Sequence, residues 1–567
     1  MRTSELRGSK RATALLRVAA AVMVISLGAG ACGSNSSTPA GEGAEKGAAK
    51  QTKGGARAAV TLATDSQPRY GGRLVYGLEA ETDGFNPVKN RWAISGTMIG
   101  LTVFDPLVAF DADQKPQPYL AASFTPSSDF KTWTFKLRPN VKFHDGTPLT
   151  AAAVKKVYDA HKQSGLTGAA FTPLERTEVV DELTVEFHMS SPWAAFPASL
   201  TGQGGVIPAP AQLDDQENST TRPIGTGPFK FVSWNGPIYV GEKNPDYWRP
   251  GLPYLDAVEF RAIPENQSRM SSLLAGQLHM FHTTNGPTII DIRKRADAGE
   301  IQVVEDLGET EEGFVMLNTS KPPFDDVRAR RAVAYAIDRQ AYIDAVGEGV
   351  NRAADSVFTP NTPWYLADNG YPEYDPATAQ ELVDEIKREK GSFSFRLQGG
   401  GVDSRNALSF LQQAFQNVGM DVEVETIEQS RYIVEALAGN YQANLWRQFG
   451  SPDPDFDYIW WISDNADDQL ALNIARHANP DIDAALKKGR ENPDPEVRRE
   501  AYAELQRKFS ELVPYAWLDH ATWAIAANNK VRGIVNGPLP DGQPSYPIGG
   551  SGGFPGVHRL TQVWIAE

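Results

Sequence analysis

The stretch of residues 131–158 constrains the fold more than any other part of the chain. Within it, Trp133, Phe135 and Leu137 alternate with threonine, lysine and arginine side chains. Alternation of apolar and polar residues is the period of a β-strand that buries one face. The pattern therefore predicts a strand that lies with one face against a packed core.

The residues that follow predict a bend, a second strand, a turn and a helix. Pro139 interrupts the alternation, which resumes at Val141 and Phe143. Gly146 follows an aspartate and predicts a turn, because glycine adopts backbone angles that other residues avoid. Thr150 is placed to cap a helix with one apolar face. This order of elements indicates a mixed α/β core.

The same stretch carries a family resemblance. The run TFKLR at 134–138, followed by VKFHDGTPLT at 141–150, resembles the hallmark of the periplasmic oligopeptide/dipeptide/nickel-binding proteins, the large solute-binding subunits of ABC importers. The runs at 222–231 and 244–248 resemble further signatures of that family. The resemblance extends over roughly residues 70–535.

The resemblance implies an α/β, two-lobed periplasmic-binding-protein-like fold of the large peptide-binding class (type II), with an extra domain inserted in the first lobe. A chain of 567 residues is too long for one ordinary core, which also favours several lobes. We expect a signal peptide (1–31), a disordered tether (32–67), lobe I in two parts (68–102 and 223–317), the inserted second domain (103–222), lobe II (318–518) and a C-terminal return to lobe I (519–567).

Apolar spacing gives a finer prediction for the second half of the chain. Strands are predicted at 392–397 and 422–427, and their alternation with helices suggests a partly parallel sheet. Asp325 or Asp326 is placed to cap the first of the helices. The predicted helices lie at 328–339, 376–390, 407–418 and 495–512.

The N-terminus predicts export. Five Lys or Arg residues precede an apolar run at 18–31, which is shorter than the about 20 residues of a spanning helix. Small residues before Cys32 resemble a bacterial lipobox, although Ala29 stands where leucine is usual. The resemblance implies diacylation of Cys32 and anchoring to the outer face of the cytoplasmic membrane. The alternative is a secretory peptide cut elsewhere, with Cys32 discarded.

Charge and cysteine content narrow the function classes. The net charge is −15, and removal of residues 1–31 leaves a body of about −19. Such an acidic body disfavours nucleic acid or anionic lipid as the main partner. With a single cysteine, an internal disulfide is impossible.

The segment at 444–455 is the main candidate for ligand binding. In the resembling family this region is a strand that hydrogen-bonds the main chain of the ligand. Several peptide binders place an aspartate there for the free ammonium of the peptide, but here the nearest positions are Gln448, Phe449 and Gly450. This departure disfavours ordinary dipeptide binding. Arg447 could instead attract a carboxylate, or it could be a surface ion-pair partner.

Aromatic residues are candidates for side-chain pockets in the cleft, with core packing as the alternative for each. An asparagine in the loop at 82–87 lies in a segment that the resemblance places at the cleft mouth. The candidate ligand-binding residues are Asn86, Trp92, Trp193, Trp446, Arg447, Gln448, Phe449, Asp453 and Asp455.

Catalysis, metal binding and nucleotide binding are weakly supported. Ser128 and Lys131 fit one motif of penicillin-recognising enzymes, but Ser128 precedes a strand and the chain has no Lys-Thr-Gly. His279 and His282 lack a convincing third ligand. The glycines at 222–231 lack the rest of a phosphate loop. We therefore expect no catalytic residues, metal or cofactor.

The sequence thus predicts an extracytoplasmic solute-binding protein of an ABC importer, which captures peptides in a cleft and delivers them to the permease. The alternative is the same fold with a non-peptide solute, such as a nickel chelate, an opine, a sugar or a glutathione-like molecule. The expected partners are the ligand, the permease and, through the lipid anchor, the membrane. We expect a monomer.

Overall fold

The computed structural model describes residues 58–62, 67–90, 92–306, 311–401, 404–466, 471–549 and 556–566. The predicted signal peptide, Cys32 and most of the predicted tether lie outside these residues.

The strands are short and are spread over almost the whole described chain. They are β1 (Ala58–Thr61), β2 (Arg73–Leu78), β3 (Val108–Phe110), β4 (Pro116–Pro118), β5 (Ala121–Pro126), β6 (Thr132–Leu137), β7 (Leu174–Val179), β8 (Thr184–Met189), β9 (Phe229–Asn235), β10 (Ile238–Lys243), β11 (Ala257–Ala262), β12 (Met280–Thr283), β13 (Gln302–Asp306), β14 (Glu311–Leu317), β15 (Arg352–Ala353), β16 (Ser394–Gly400), β17 (Asp421–Ile427), β18 (Ala443–Phe449), β19 (Tyr515–His520), β20 (Trp523–Ala527), β21 (Val531–Arg532) and β22 (Trp564–Ile565).

The longer helices are concentrated in the second half. The helices are α1 (Ile94–Val103), α2 (Ala151–Gln163), α3 (Phe196–Ser199), α4 (Pro210–Asp214), α5 (Asn266–Leu274), α6 (Gly286–Asp297), α7 (Val327–Tyr335), α8 (Arg339–Gly347), α9 (Pro376–Lys390), α10 (Arg405–Asn417), α11 (Gln429–Leu437), α12 (Tyr458–Trp461), α13 (Pro480–Glu491) and α14 (Pro495–Leu512).

An eight-stranded mixed sheet joins the two ends of the described chain. Its order is β1-β13-β20-β12-β2-β11-β10-β9, with β2 parallel to β11 and β12. The late strand β20 lies between β12 and β13 and is buried along its whole length. Helix α1, every residue of which is buried, packs in the core of this sheet.

Strand β1 corrects one prediction. It lies inside the segment 32–67 that we expected to be disordered, yet it pairs antiparallel with β13. The strand adds to the edge of the eight-stranded sheet, where β13 offers its backbone groups for pairing. The prediction of disorder is therefore wrong for these four residues.

A four-stranded antiparallel sheet, β5-β6-β8-β7, contains the strand that was predicted from the alternation of Trp133, Phe135 and Leu137. Strand β6 buries Trp133, Phe135 and Leu137, as predicted. The Thr150 hydroxyl accepts a hydrogen bond from the Ala153 amide at 3.2 Å and caps α2. The prediction of a second strand at Val141 and Phe143 is wrong. This segment forms only an isolated β-bridge, between Lys142 and Pro148.

A six-stranded sheet, β15-β19-β14-β18-β16-β17, forms the second large body. Strands β16 and β17 are parallel, as the sequence predicted. The Asp326 carboxylate caps α7, and helices α9 and α14 have the predicted bounds. Strand β14 lies between β18 and β19 and is buried at every residue.

The chain passes between the two large sheets twice, from β13 to β14 and from β19 to β20. The predicted boundary at 317 falls after β14, whereas β14 belongs to the six-stranded sheet. Only four residues separate β13 from β14 in the chain, so no long change of composition marks the boundary between the two sheets.

The Asp105 side chain connects two segments of the chain. One leaves the eight-stranded sheet after α1, and the other returns to this sheet around β9. Its buried carboxylate accepts hydrogen bonds from Thr226, Tyr247 and Trp248 at 2.8–3.1 Å. Gly225 and Gly227 let the returning chain pass against the backbone of α1, where a Cβ atom would lie 2.1 and 2.5 Å from Val103 atoms.

Burial raises the pKa of Asp105 to about 6, against the lowering effect of these hydrogen bonds. A raised folded-state pKa means that the protonated carboxyl favours folding, so this stability is present below pH 4 and is lost as the pH rises to 6. We expect the stability of wild type relative to Asp105→Asn to fall by roughly 3 kcal/mol between pH 4 and pH 7.

Calorimetric melting of both proteins across this pH range measures the effect. The exposed Asp113→Asn is the matched control and should follow wild type. A constant difference in melting temperature between wild type and Asp105→Asn would contradict the assignment.

Candidate functional site

An aromatic cavity lies on one face of the six-stranded sheet. Successive strand residues point to opposite faces, so Glu312, Phe314 and Met316 share a face of β14 opposite Gln448 and Trp446 of β18. We call the space they enclose the aromatic cavity. It is lined by Glu312, Phe314, Met316, Trp446, Gln448, Trp460, Trp461, Leu472, Ile474, Tyr515 and Trp517.

One buried carboxyl group, that of Glu312, lines this cavity, and the buried carboxyl group of Asp457 is near enough to interact with it. Glu312 is 1% exposed, and neither of its oxygens has a hydrogen-bond partner among the described residues. Burial raises the pKa of Glu312 well above its usual range, and the carboxyl groups of Asp457 and Glu311 raise it further. Burial likewise raises the pKa of Asp457, while a hydrogen bond from Gln448 lowers it. The pair therefore holds protons more tightly than free carboxyl groups do.

Trp193 and Asp455 are buried, and they contact each other rather than a cleft. The Trp193 indole donates to Asp455 Oδ2 at 2.7 Å, and Arg490 Nε donates to Asp455 Oδ1 at 2.6 Å. The Arg490 guanidinium also lies 4.8 Å from the Trp193 ring centre. This contact connects the core of the four-stranded sheet to α13 beside the six-stranded sheet.

Asp453 has a similar internal partner. Both of its oxygens accept hydrogen bonds from Arg498, at 2.6 and 2.9 Å. A bidentate pair of this kind fixes both side chains. The two aspartates of the Pro-containing turn after β18 are thus engaged with arginines of α13 and α14.

Asn86 and Trp92 are also used inside the protein. Asn86 is fully buried, and its side-chain oxygen accepts a hydrogen bond from the Val88 amide at 3.0 Å. The Trp92 indole donates to the Gly84 carbonyl at 3.2 Å and stacks on Phe104. These contacts shape the loop before α1.

The four candidate residues of β18 lie where the two large sheets meet. Trp446 and Gln448 line the aromatic cavity, whereas Phe449 packs against the core of the eight-stranded sheet. Arg447 is exposed and pairs with the buried Glu311 at 3.0 Å. Glu311 also accepts a hydrogen bond from the Trp523 indole of β20 at 2.6 Å.

Strand β18 is hydrogen-bonded over different lengths on its two sides. Strand β14 pairs with it from Ala443 to Phe449, but β16 pairs with it only from Ala443 to Leu445. Trp446 and Gln448 therefore lie beyond the end of the β16 ladder.

The sequence did not single out Glu312, Asp457 or Trp460. The alternation along β14 would have placed Glu312 on one face with Phe314 and Met316, but no local signal reveals its neighbour across the sheet. Within the part of the chain that the structure describes, no group of three or more His, Cys, Asp or Glu side chains could hold a metal ion. None of the helices described there has the length and apolar character needed to cross a membrane.

Comparison with known proteins establishes the class. Residues 115–469 match the profile of the bacterial extracellular solute-binding proteins, family 5. The matched segment is more than half of the chain, so the protein belongs to this family. The fold is accordingly the two-lobed fold of periplasmic binding proteins.

Individual relatives differ in their ligands. The glutathione-binding protein GsiB of Pectobacterium atrosepticum is 27% identical over 503 residues, which cover 84% of this chain and 94% of that protein. Helicobacter pylori DppA, solved with the peptide STSA, gives a TM-score of 0.77 at 23% identity, covering 88% and 99% of the two chains. AgaA of A. tumefaciens R10, solved with agropinic acid, gives 0.76 at 25% identity, covering 88% and 99%.

The contact among Trp193, Asp455 and Arg490 supports a stability prediction. Arg490→Met leaves the Asp455 carboxylate buried with the Trp193 indole as its remaining side-chain donor. Removal of one partner of a buried ion pair costs about 3–5 kcal/mol, so we expect a clear loss of thermal stability.

Thermal unfolding of purified variants measures this loss. Arg507→Met is the matched control, because the Arg507 pair with Glu504 is about half exposed and should contribute little. Equal melting temperatures for the two variants would show that the buried contact is not stabilising.

Proposed function

We propose that this protein captures peptides in the cleft between its two large bodies and delivers them to the permease of an ABC importer. Membership of the solute-binding family supports the importer role, and peptide complexes of structural relatives with the same fold support the ligand class. We propose that the protein has the predicted domains, with lobe II beginning at β14, which belongs to the six-stranded sheet.

The observation that carries the proposal is the position of β18. Its second half lies beyond the β16 ladder and adjoins the eight-stranded body through Phe449. A peptide main chain laid beside Trp446 and Gln448 would extend the sheet in the manner of strand addition. Its side chains would then reach pockets on alternate faces.

Among the nine candidate residues, we propose that Trp446 and Gln448 contact the ligand directly, because both line the aromatic cavity. Arg447 and Phe449 are proposed to shape the boundary of the cleft. The buried contacts of the remaining five support positioning roles, in which they fix the loops around the cleft. Those five are Asn86, Trp92, Trp193, Asp453 and Asp455.

Ligand binding is proposed to favour closure of the cleft. The chain crosses between the large sheets twice, a connection suited to hinge motion. A ligand that contacts both bodies only in the closed form shifts the population toward that form. The permease would recognise this closed form. The ligand would then pass to the permease chemically unchanged.

A second candidate ligand is glutathione or another non-peptide solute. Glutathione is favoured by the similarity to GsiB, which extends over 94% of that relative. Agropinic acid and nickel–histidine complexes are the ligands of other structural relatives.

A ligand screen should separate these candidates. A peptide mixture should raise the melting temperature of the full chain by several degrees and reduce its radius of gyration in solution scattering, because the ligand stabilises the closed form. Glutathione, agropinic acid and a nickel–histidine chelate are the comparison ligands.

Gln448→Ala should reduce the response to peptides, whereas the exposed Gln413→Ala should leave it unchanged. The peptide proposal fails when peptides leave both quantities unchanged and a comparison ligand shifts them. Size-exclusion chromatography of the same samples tests the proposed monomer.

We further propose that Cys32 is lipid-modified after removal of residues 1–31 and that the protein is held at the outer face of the cytoplasmic membrane. Labelled palmitate should enter the wild-type protein in cells. Cys32→Ser should not be labelled and should leave the membrane fraction. Label retained in Cys32→Ser would contradict this proposal.

A further inference from the structure

A second small cavity lies where three distant segments of the chain meet. We call it the arginine cavity. Tyr119 comes from the connection between β4 and β5, at the entry to the four-stranded sheet, whereas Arg249 follows β10 of the eight-stranded sheet. The C-terminal part of the chain closes the cavity. Its lining residues are Tyr119, Arg249, Asn536, Gly537, Pro538, Leu539, Arg559, Thr561 and Gln562, none of which lines the aromatic cavity.

Two guanidinium groups lie at this cavity without a carboxylate partner. Arg249 donates hydrogen bonds to the Tyr119 hydroxyl at 3.2 Å and to the Pro538 carbonyl at 2.8 Å. The guanidinium carbon of Arg559 lies 4.7 Å from the centre of the Tyr119 ring. Among the described residues neither arginine forms an ion pair, and no acidic side chain lines the cavity. The cavity is therefore locally positive, although the chain has a net charge of −15.

Two donors at the cavity lack an acceptor. Nη2 of Arg559 and Oγ1 of Thr561 are buried, and neither has a hydrogen-bond partner among the described residues. Thr561 is only 2% exposed. An arginine nitrogen can donate but not accept, and a hydroxyl can donate as well, so one acceptor serves both groups. Buried donors without an acceptor cost free energy, so the cavity is incomplete without such a group.

The acidic groups of this region are engaged by other side chains. Asp541 pairs with Arg138 at 2.7 Å. Asp105 is near enough to interact with Arg249, but its hydrogen bonds come from the segment that returns to the eight-stranded sheet. With Arg559, three arginines thus meet two aspartates, and one positive charge has no counterion.

The size of the cavity selects the kind of anion. The enclosed space accommodates about one water-sized group. A halide ion is a single atom only slightly larger than a water molecule, whereas a phosphate or carboxylate group needs room for several atoms. A neutral water molecule would satisfy the two donors but would leave the positive charge unbalanced. Hydrogen bonds to an anion are also stronger than those to a neutral acceptor.

We propose that the arginine cavity binds a chloride ion, which accepts hydrogen bonds from Arg559 Nη2 and Thr561 Oγ1 beside the Arg249 guanidinium. The ion connects the entry to the four-stranded sheet with the C-terminal part of the chain, because Tyr119 contacts both arginines. This inference does not rest on the proposed function, since no residue of the arginine cavity belongs to the proposed peptide site.

Chlorine NMR of the full-length protein detects the ion directly. Exchange of chloride with an asymmetric protein site broadens its resonance, so the protein should broaden the signal in a saturable manner, and bromide should reverse the broadening by competition. At constant ionic strength, replacement of potassium gluconate by potassium chloride should also raise the melting temperature, because gluconate is too large for the cavity and chloride binds the folded state.

Thr561→Val is the sharpest variant, because it removes one donor and keeps the shape of the side chain. It should weaken chloride binding by about tenfold. In gluconate its melting temperature should equal or exceed that of wild type, since a buried hydroxyl without a partner is removed. Arg559→Gln should abolish the broadening. The exposed Arg222→Gln removes the same charge from another position and should bind chloride as wild type does.

The outcomes separate a chloride site from its alternatives. An unbroadened resonance would show that the cavity holds only water and would overturn the proposal. Broadening that is unchanged in Thr561→Val would place the ion elsewhere and would overturn it as well. Equal melting temperatures in chloride and gluconate would contradict binding to the folded state. Should Arg559→Gln fail to fold, Thr561→Val still decides the question.

Discussion

The complete burial of β14 between β18 and β19 is the constraint on which the rest of the structure depends. One face of this strand packs Val315 and Leu317 into the core under α7 and α10. The other face presents Glu312, Phe314 and Met316 to the aromatic cavity. At its start, Glu311 connects Arg447 of β18 to Trp523 of β20. A shift of β14 by one residue would exchange these faces and place the Glu312 carboxyl group in the apolar core that Val315 and Leu317 now fill.

The acidic side chains around β18 divide into two groups by their partners. Asp453 and Asp455 are neutralised by arginines from α14 and α13, and they hold the turn after β18 against the helices. Asp457 follows Asp455 by two residues, and Glu312 lies on the neighbouring strand β14. Among the residues that the structure describes, neither forms an ion pair with an arginine. The same type of side chain thus stabilises the scaffold as an ion-pair partner in one place, whereas burial raises its pKa in the other.

Local signals predicted much of the secondary structure. Apolar spacing gave the bounds of α9 and α14, and Thr150 and Asp326 cap α2 and α7 as expected. The site was less predictable. The segment at 444–455 was identified through the family resemblance, but Trp193 and Arg490 meet across almost 300 positions. Such pairings depend on how the bodies pack, and neither spacing nor propensity within one segment encodes that packing.

The order in which the eight-stranded sheet receives its strands has a consequence for folding. Gln302 of β13 donates hydrogen bonds to backbone carbonyls just after β20, 226 and 229 positions later in the chain. A ribosome delivers β2, β11 and β12 early, but the central gap between β12 and β13 stays open until β20 has been made. Since contacts between distant positions form slowly, the nascent chain cannot complete this body during most of its synthesis. The eight-stranded sheet can therefore close only after the ribosome has synthesised β20.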